Sequence, residues 1–206
     1  MSENLSTKTK KSISTAMIAK IAMLGALAAV VMFFEVPIPF VPPFYKLGFD
    51  EVIVMIGGFA FGPLPAMAIE AIKILLNFLM NGTDTGGIGE LSNFLIGCSY
   101  VIPAALIYRR AKDKRHAYLG LIVGSISLVI LGALINYYVM LPVYSKVLEL
   151  PMEVIIQAGS KLNGSVVNLG SFVLLMTTPF NLLKAVLCSL IVLISYKKVS
   201  PLLHRS

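Results

Sequence analysis

The chain has 206 residues, 57% hydrophobic and only 13% charged, with a mean hydropathy of +0.87. Soluble globular domains carry about 25% charged residues, so this composition excludes one and points to an integral membrane protein. The net charge of +7 arises from lysines and arginines at the ends of apolar runs, not from a basic stripe interleaved with aromatics, which excludes a nucleic-acid surface.

Nearly everything after residue 12 belongs to apolar runs or short connectors. Residues 1–206 are therefore expected to form a single transmembrane domain, with tails at 1–12 and 197–206. The first run, Ile13 to Phe34, has about 22 residues, reaches about 33 Å as a helix and is long enough for the hydrocarbon core. Lys20 interrupts it and can snorkel. A rival reading is a cleaved signal peptide, because "KTKK" precedes the run and Ala26-Leu27-Ala28 resembles a small-residue cleavage site; the apolar run continues past that point through "VVMFF". Ala19, Ala22, Ala26 and Ala29, with Gly25 adjoining, make a small-residue stripe suited to close helix approach, within the protein or against a partner.

Further runs follow at Glu51–Phe61, Leu64–Met80, Leu91–Tyr108, Tyr118–Leu141 and Pro179–Tyr196, so the expected fold is an all-α bundle of six transmembrane helices. The second run is short and broken by Gly57, Gly58, Gly62, Pro63 and Pro65, a pattern tolerated in a membrane where protein covers the freed backbone groups. For the last helix, Thr178 is the expected N-cap and Pro179 the first helical residue. The connector Leu148–Thr177 contains "VVNLGSFVLLM", too short to span and suited to capping one face of the bundle. Cys98 and Cys188 lie in apolar segments without metal-ligand or redox spacing and read as small buried hydrophobes.

The basic residues orient the chain. With a cytoplasmic N-terminus, Lys8, Lys10, Lys11, Lys20, Arg109, Arg110, Lys112, Lys114, Arg115, Lys197, Lys198 and Arg205 fall inside, and only Lys46, Lys146 and Lys161 outside. Six crossings return the C-terminus to the cytoplasm, which predicts a multi-pass protein of the cell membrane with both termini inside.

In that topology Glu51, Asn93, Asn136, Asn181 and Lys184 converge near the outer ends of their helices. Polar groups in membrane helices face a protein interior or a watery cavity, so the cluster predicts a pocket opening outward. Asn181 and Lys184, three apart, share a helix face. Lys184 has no acid three or four residues away and sits near an expected helix N-terminus, whose dipole disfavours a cation, so a ligand role is favoured. Each residue also has a structural reading: Asn93 as an interhelical hydrogen bonder, Glu51 as a helix end at the interface, and Glu70 with Lys73 as an i, i+3 packing pair. No phosphate-binding G-x-x-x-x-G-K-[ST] loop, H-E-x-x-H or nucleophile elbow is present, and "GGIGEL" lacks the third glycine of a dinucleotide fingerprint, so the chain is not expected to be an enzyme or to hold a cofactor or metal.

Taken together, "IAMLGALAAVVMFFEVPIPFVPPF", "GGFAFGP", "SNFLIG", "NYYVMLPVY" and "TPFNLLK" resemble the substrate-binding S components of energy-coupling-factor (ECF) vitamin transporters, most closely the riboflavin-specific type. The resemblance covers nearly the whole chain. It implies six helices around an outward vitamin pocket, a transmembrane T component contacting Ala22 and Ala26, and two cytoplasmic ATPases. It also implies flavin contacts at Glu51, Asn136, Asn181 and Lys184, with riboflavin as cargo and flavin mononucleotide an open second cargo. "GFDEV" departs from the family pattern, since Asp50 and Glu51 adjoin where the family offers a single aspartate. The chemistry is compatible: asparagine matches an imide edge, lysine donates to a carbonyl or ring nitrogen, a carboxylate accepts from hydroxyls, and Phe40, Phe44 and Leu141 are candidates to cover the ring. The competing classes are a membrane-embedded enzyme on a lipid substrate, which needs paired acids or a metal cluster at the cytoplasmic face, and an assembly subunit without ligand, which leaves Lys184 unexplained.

Overall fold

Apolar side chains at helical spacing form long rods whose backbone groups are satisfied internally, the arrangement a bilayer requires. The computed structural model describes residues 14–83 and 85–203, with side chains described as far as Tyr196. The expected tail at 1–12, with Lys8, Lys10 and Lys11, lies outside the described residues, as does Arg205. The helices are α1 (Thr15–Met32), α2 (Asp50–Phe61), α3 (Pro63–Asn81), α4 (Ile88–Ala111), α5 (Lys114–Ile135), α6 (Leu141–Val147), α7 (Met152–Ser160), α8 (Leu169–Phe172) and α9 (Thr178–Leu203). The backbone is thus helical into the segment expected as a C-terminal tail. Between α1 and α2, a small antiparallel hairpin of β1 (Val36–Pro37) and β2 (Lys46–Leu47) pairs Val36 with Leu47 and Pro37 with Lys46.

Among the described residues, five helical stretches are long and apolar enough to cross a membrane: Thr15–Met32, Pro63–Asn81, Ile88–Ala111, Lys114–Val147 and Leu169–Tyr196. The sixth expected crossing, α2, is different. Its 12 residues reach about 18 Å, short of a hydrocarbon core of about 30 Å. Most of its length is buried among the other helices, including Val54 and Met55 at 0% exposure. Gly62, at φ 97°, ends it in a backbone conformation open to glycine, and Pro63 starts α3 at once.

The last two long helical runs each carry a widened turn just ahead of a proline. Lys114–Val147 contains a π turn at Asn136–Met140, and Leu169–Leu203 contains another at Val173–Thr177. Pro142 and Pro179 follow these turns by two residues. A proline has no N–H for the ladder and its ring crowds the carbonyl four residues back; a widened turn relieves that crowding. At the widened turns the Leu141 N–H reaches Asn136 O, and the Thr178 N–H reaches Val173 O. The Thr178 hydroxyl also donates to Val173 O at 3.0 Å.

The expected start of the final helix at Thr178 and Pro179 is therefore corrected. The helical run begins at Leu169, behind a capping box in which Asn168 Oδ1 accepts from Ser171 N at 2.8 Å and Ser171 Oγ accepts from Asn168 N at 2.9 Å. The second half of "VVNLGSFVLLM" belongs to that run and is not a separate cap. Lys184 lies about four turns beyond Leu169, so a helix dipole does not act on it.

The main core joins α1, α2, α3, α4, α5 and α9 around Val54, Met55, Ile69, Tyr100, Ala104, Leu128 and Cys188. Through the Ala26–Ala28 segment α1 is one unbroken helix packed on α2 and α3. The small-residue stripe divides in two. Gly25 and Ala29 are buried, with Gly25 against Ile72 and Ile69, while Ala19, Ala22 and Ala26 are exposed on the outer face of α1. Lys20 lies over the ring of Phe61 at 5.7 Å.

Candidate ligand-binding site

One end of the bundle carries nearly all the buried polarity. It is built from the N-terminus of α2, the C-terminal half of α3, the first turns of α4, the two π turns and α9. Four of the five residues singled out in the sequence, Asn93, Asn136, Asn181 and Lys184, line one inner chamber of about 80 Å³. The fifth, Glu51, is not part of its lining. It is fully buried beneath, with Oε1 at 3.5 Å from Lys184 Nζ. Of the ring-covering candidates, Phe44 and Leu141 line the chamber, whereas Phe40 is 48% exposed and does not.

The chamber walls are aromatic. Tyr45 packs 4.8 Å from Phe44 and 5.1 Å from Phe180, centroid to centroid, and Phe44 lies 6.2 Å from Tyr144. Sequence reasoning did not single out Tyr45. Its hydroxyl donates to Asn136 Oδ1 at 3.3 Å and shares a 2.7 Å hydrogen bond with Thr177 Oγ1, closing the loop down onto the two π turns. Burial raises the Tyr45 phenol well above its usual range, opposed by the Thr177 hydrogen bond, so the group remains a donor.

Asn136 is held from its other end, Nδ2 donating to Gly132 O at 2.8 Å. Asn181 is 2% exposed and its Nδ2 has no hydrogen-bond partner within the protein. That amide lies against Gly132, where a Cβ would fall 2.5 Å from Nδ2. A buried, unpaired donor costs about 1–3 kcal/mol. Gly132→Ala is expected to push Asn181 off this position, visible as a changed amide environment by nuclear magnetic resonance of the labelled side chain; an unmoved signal would contradict the close approach.

Beneath the chamber is a buried ionic cluster. Lys73, at 0% exposure, has Asp50 Oδ2 at 2.6 Å, Glu70 Oε1 at 2.7 Å and Glu51 Oε1 at 3.1 Å. The Asp50 and Glu51 contacts are hydrogen bonds; the Glu70 contact is close without the alignment of one, leaving both Glu70 oxygens without hydrogen-bond partners. The i, i+3 pair of Glu70 and Lys73 is thus present, inside a larger network that also recruits both acids of "GFDEV". Asp50 and Glu51 gain further from the positive end of α2. Gly97 of α4 lets that helix close over the carboxylates, since a Cβ there would lie against Glu70 Oε1 and Glu51 Oε1. Glu90 accepts from the Thr83 and Thr85 hydroxyls at 3.1 and 3.3 Å. Among the described residues no three His, Cys, Asp or Glu side chains are arranged to hold a metal ion.

An outer chamber of about 580 Å³ adjoins the inner one and shares Phe44, Lys46, Gly89, Asn93 and Tyr144 with it. Its size falls in the range of about 300–1,000 Å³ usual for small-molecule sites.

Comparison with known proteins identifies the family. The family model described as "ECF transporter, substrate-specific component" matches residues 16–196. The chain is 31% identical over 190 residues to the riboflavin transporter RibU of Staphylococcus aureus (strain TCH60), covering 90% of each chain. It is 28% identical over 182 residues to the riboflavin transporter FmnP of Bacillus subtilis (strain 168), covering 88% of this chain and 90% of that one. A solved structure described as the S component of a bacterial ECF transporter superimposes with a TM-score of 0.70 at 28% identity, covering 91% of this chain and 97% of that one. The chain is a multi-pass membrane protein that belongs to the substrate-specific components of ECF transporters, a family of transport proteins and not of enzymes.

Proposed function

We propose that the protein is the riboflavin-binding S component of an ECF importer, open to the outside and with both termini in the cytoplasm, and that it hands the vitamin to a T component served by two ATPases. The observation that carries this reading is the convergence of Asn93, Asn136, Asn181 and Lys184, from three separate helical runs, on one aromatic-walled chamber. A flavin is a flat ring system with a pyrimidine edge of carbonyl and imide groups. Aromatic walls suit the ring; the unpaired Asn181 amide and the Lys184 ammonium suit the edge. Glu51 acts from below, holding Lys184 by its charge and not by touching the flavin. An inner chamber of about 80 Å³ is smaller than the ring system, so Tyr45 and its loop shift when the vitamin binds. The riboflavin transporters among its relatives support the same cargo.

The decisive measurement is titration of the purified protein with a panel of vitamins, reading intrinsic and flavin fluorescence. Riboflavin alone is expected to bind tightly and to colour the preparation yellow. Tight binding of another vitamin with none of riboflavin would overturn the assignment. The side of loading is tested separately: in Asn181→Cys, riboflavin is expected to shield the new thiol from an external membrane-impermeant reagent.

The exposed face of Ala22 and Ala26 is the proposed contact for the T component. Small side chains allow close helix approach in a membrane, so Ala22→Arg or Ala26→Arg is expected to abolish ATP-driven uptake while riboflavin binding persists. Co-purification of the T component with either variant would count against this contact.

A further inference from the structure

The two chambers differ in chemistry. Where the inner one is aromatic, the outer one is lined by amides, a threonine hydroxyl and two carboxylates, Glu35 and Glu90. Asn77 lines it at 7% exposure with its Nδ2 unpartnered. Glu90 is held in place by the Thr83 and Thr85 hydroxyls. Glu35 stands at the head of the β1–β2 hairpin, and Lys46 from the facing strand reaches it at 3.8 Å. Lys46 is the one cation among the described lining residues, and Glu35 already occupies it. Burial raises the Glu35 carboxyl above its ordinary range, opposed by Lys46.

Amide donors facing carboxylate acceptors match a chain of neutral hydroxyls, each of which donates and accepts. A phosphate dianion has only acceptors to offer and would stand beside two like charges in a partly desolvated space, where Coulomb repulsion is poorly screened. We propose that the outer chamber is a selectivity site that takes a neutral polyol chain and rejects a phosphorylated one, with Glu35 and Glu90 as the discriminating residues. The inference rests on the riboflavin reading: with the flavin ring in the inner chamber, its ribityl chain reaches the outer one, and the excluded ligand is riboflavin 5′-phosphate.

The test compares dissociation constants of riboflavin and its 5′-phosphate, by fluorescence quenching at pH 8. Wild-type protein is expected to bind the phosphate at least about 10-fold more weakly. In Glu35→Gln/Glu90→Gln, the phosphate is expected to bind about 10-fold more tightly than to wild type. Riboflavin should bind about 3-fold more weakly, because amide oxygens are poorer acceptors than carboxylates. Lys46→Gln, which removes the compensating cation, should widen the wild-type gap; it supplies the answer if the double variant folds poorly. Equal wild-type affinities, or a gap unmoved by any of these substitutions, would overturn the selectivity site while leaving the riboflavin assignment intact. Wild-type protein that binds neither flavin would overturn both.

Discussion

Lys184→Met is expected to weaken riboflavin binding about 10- to 150-fold while leaving the fold intact, the range that follows from losing a hydrogen bond to a charged group, worth about 1.5–3 kcal/mol. Lys184 borders the inner chamber, and among the described residues its one ion pair is the 3.5 Å approach to Glu51, which lacks hydrogen-bond geometry. Glu51 keeps its closer partner, Lys73, at 3.1 Å when Lys184 is gone. The melting temperature of the ligand-free variant should therefore lie near that of wild type. Methionine preserves the length of the side chain and suits the bilayer, so insertion should not suffer. Fluorescence titration beside a melting curve reads both quantities at once, and an unchanged affinity would remove Lys184 from the binding site.

Lys73→Met should do the reverse. Its ammonium is fully buried and lies within 3.1 Å of three carboxylates, two of which sit at 0% and 1% exposure. Removing one partner of a buried ionic cluster leaves uncompensated charge, a loss of about 3–5 kcal/mol. The variant is expected to express poorly and melt far below wild type. Adding Glu70→Gln should recover part of the loss, because it neutralises one of the carboxylates left without a cation. A single Lys73→Met variant as stable as wild type would show that these acids are not held as ions by Lys73. The two lysines thus separate: one substitution is read in affinity, the other in stability.

Spacing along the sequence separates the two lysines only in part, and the reason is physical. Lys184 was visible as a cation in an apolar run with no acid within a helical turn, and Lys73 as one with Glu70 at i, i+3. Local spacing registers neighbours on one helix. The partners that decide the role of each lysine, Asp50 and Glu51, are on another helix, 23 and 22 residues from Lys73 respectively. The same limit explains Tyr45, which acts on Asn136 across 91 residues of sequence and carries no motif of its own.

By itself, the sequence determined the membrane class, five of the six spans expected from it, and the gathering of Asn93, Asn136, Asn181 and Lys184 at one end of the bundle, because helical rise and bilayer thickness convert position in an apolar run into depth. The tertiary structure decided what depth cannot reveal. Glu51 lies under the chamber and not in its wall; α2 is a short buried helix; and Leu169, not Pro179, opens the final helical run. In each case the outcome depends on which surfaces meet: a carboxylate turns toward the nearest buried ammonium, a short helix persists where neighbours cover it, and a proline stays inside a helix where a widened turn makes room for its ring.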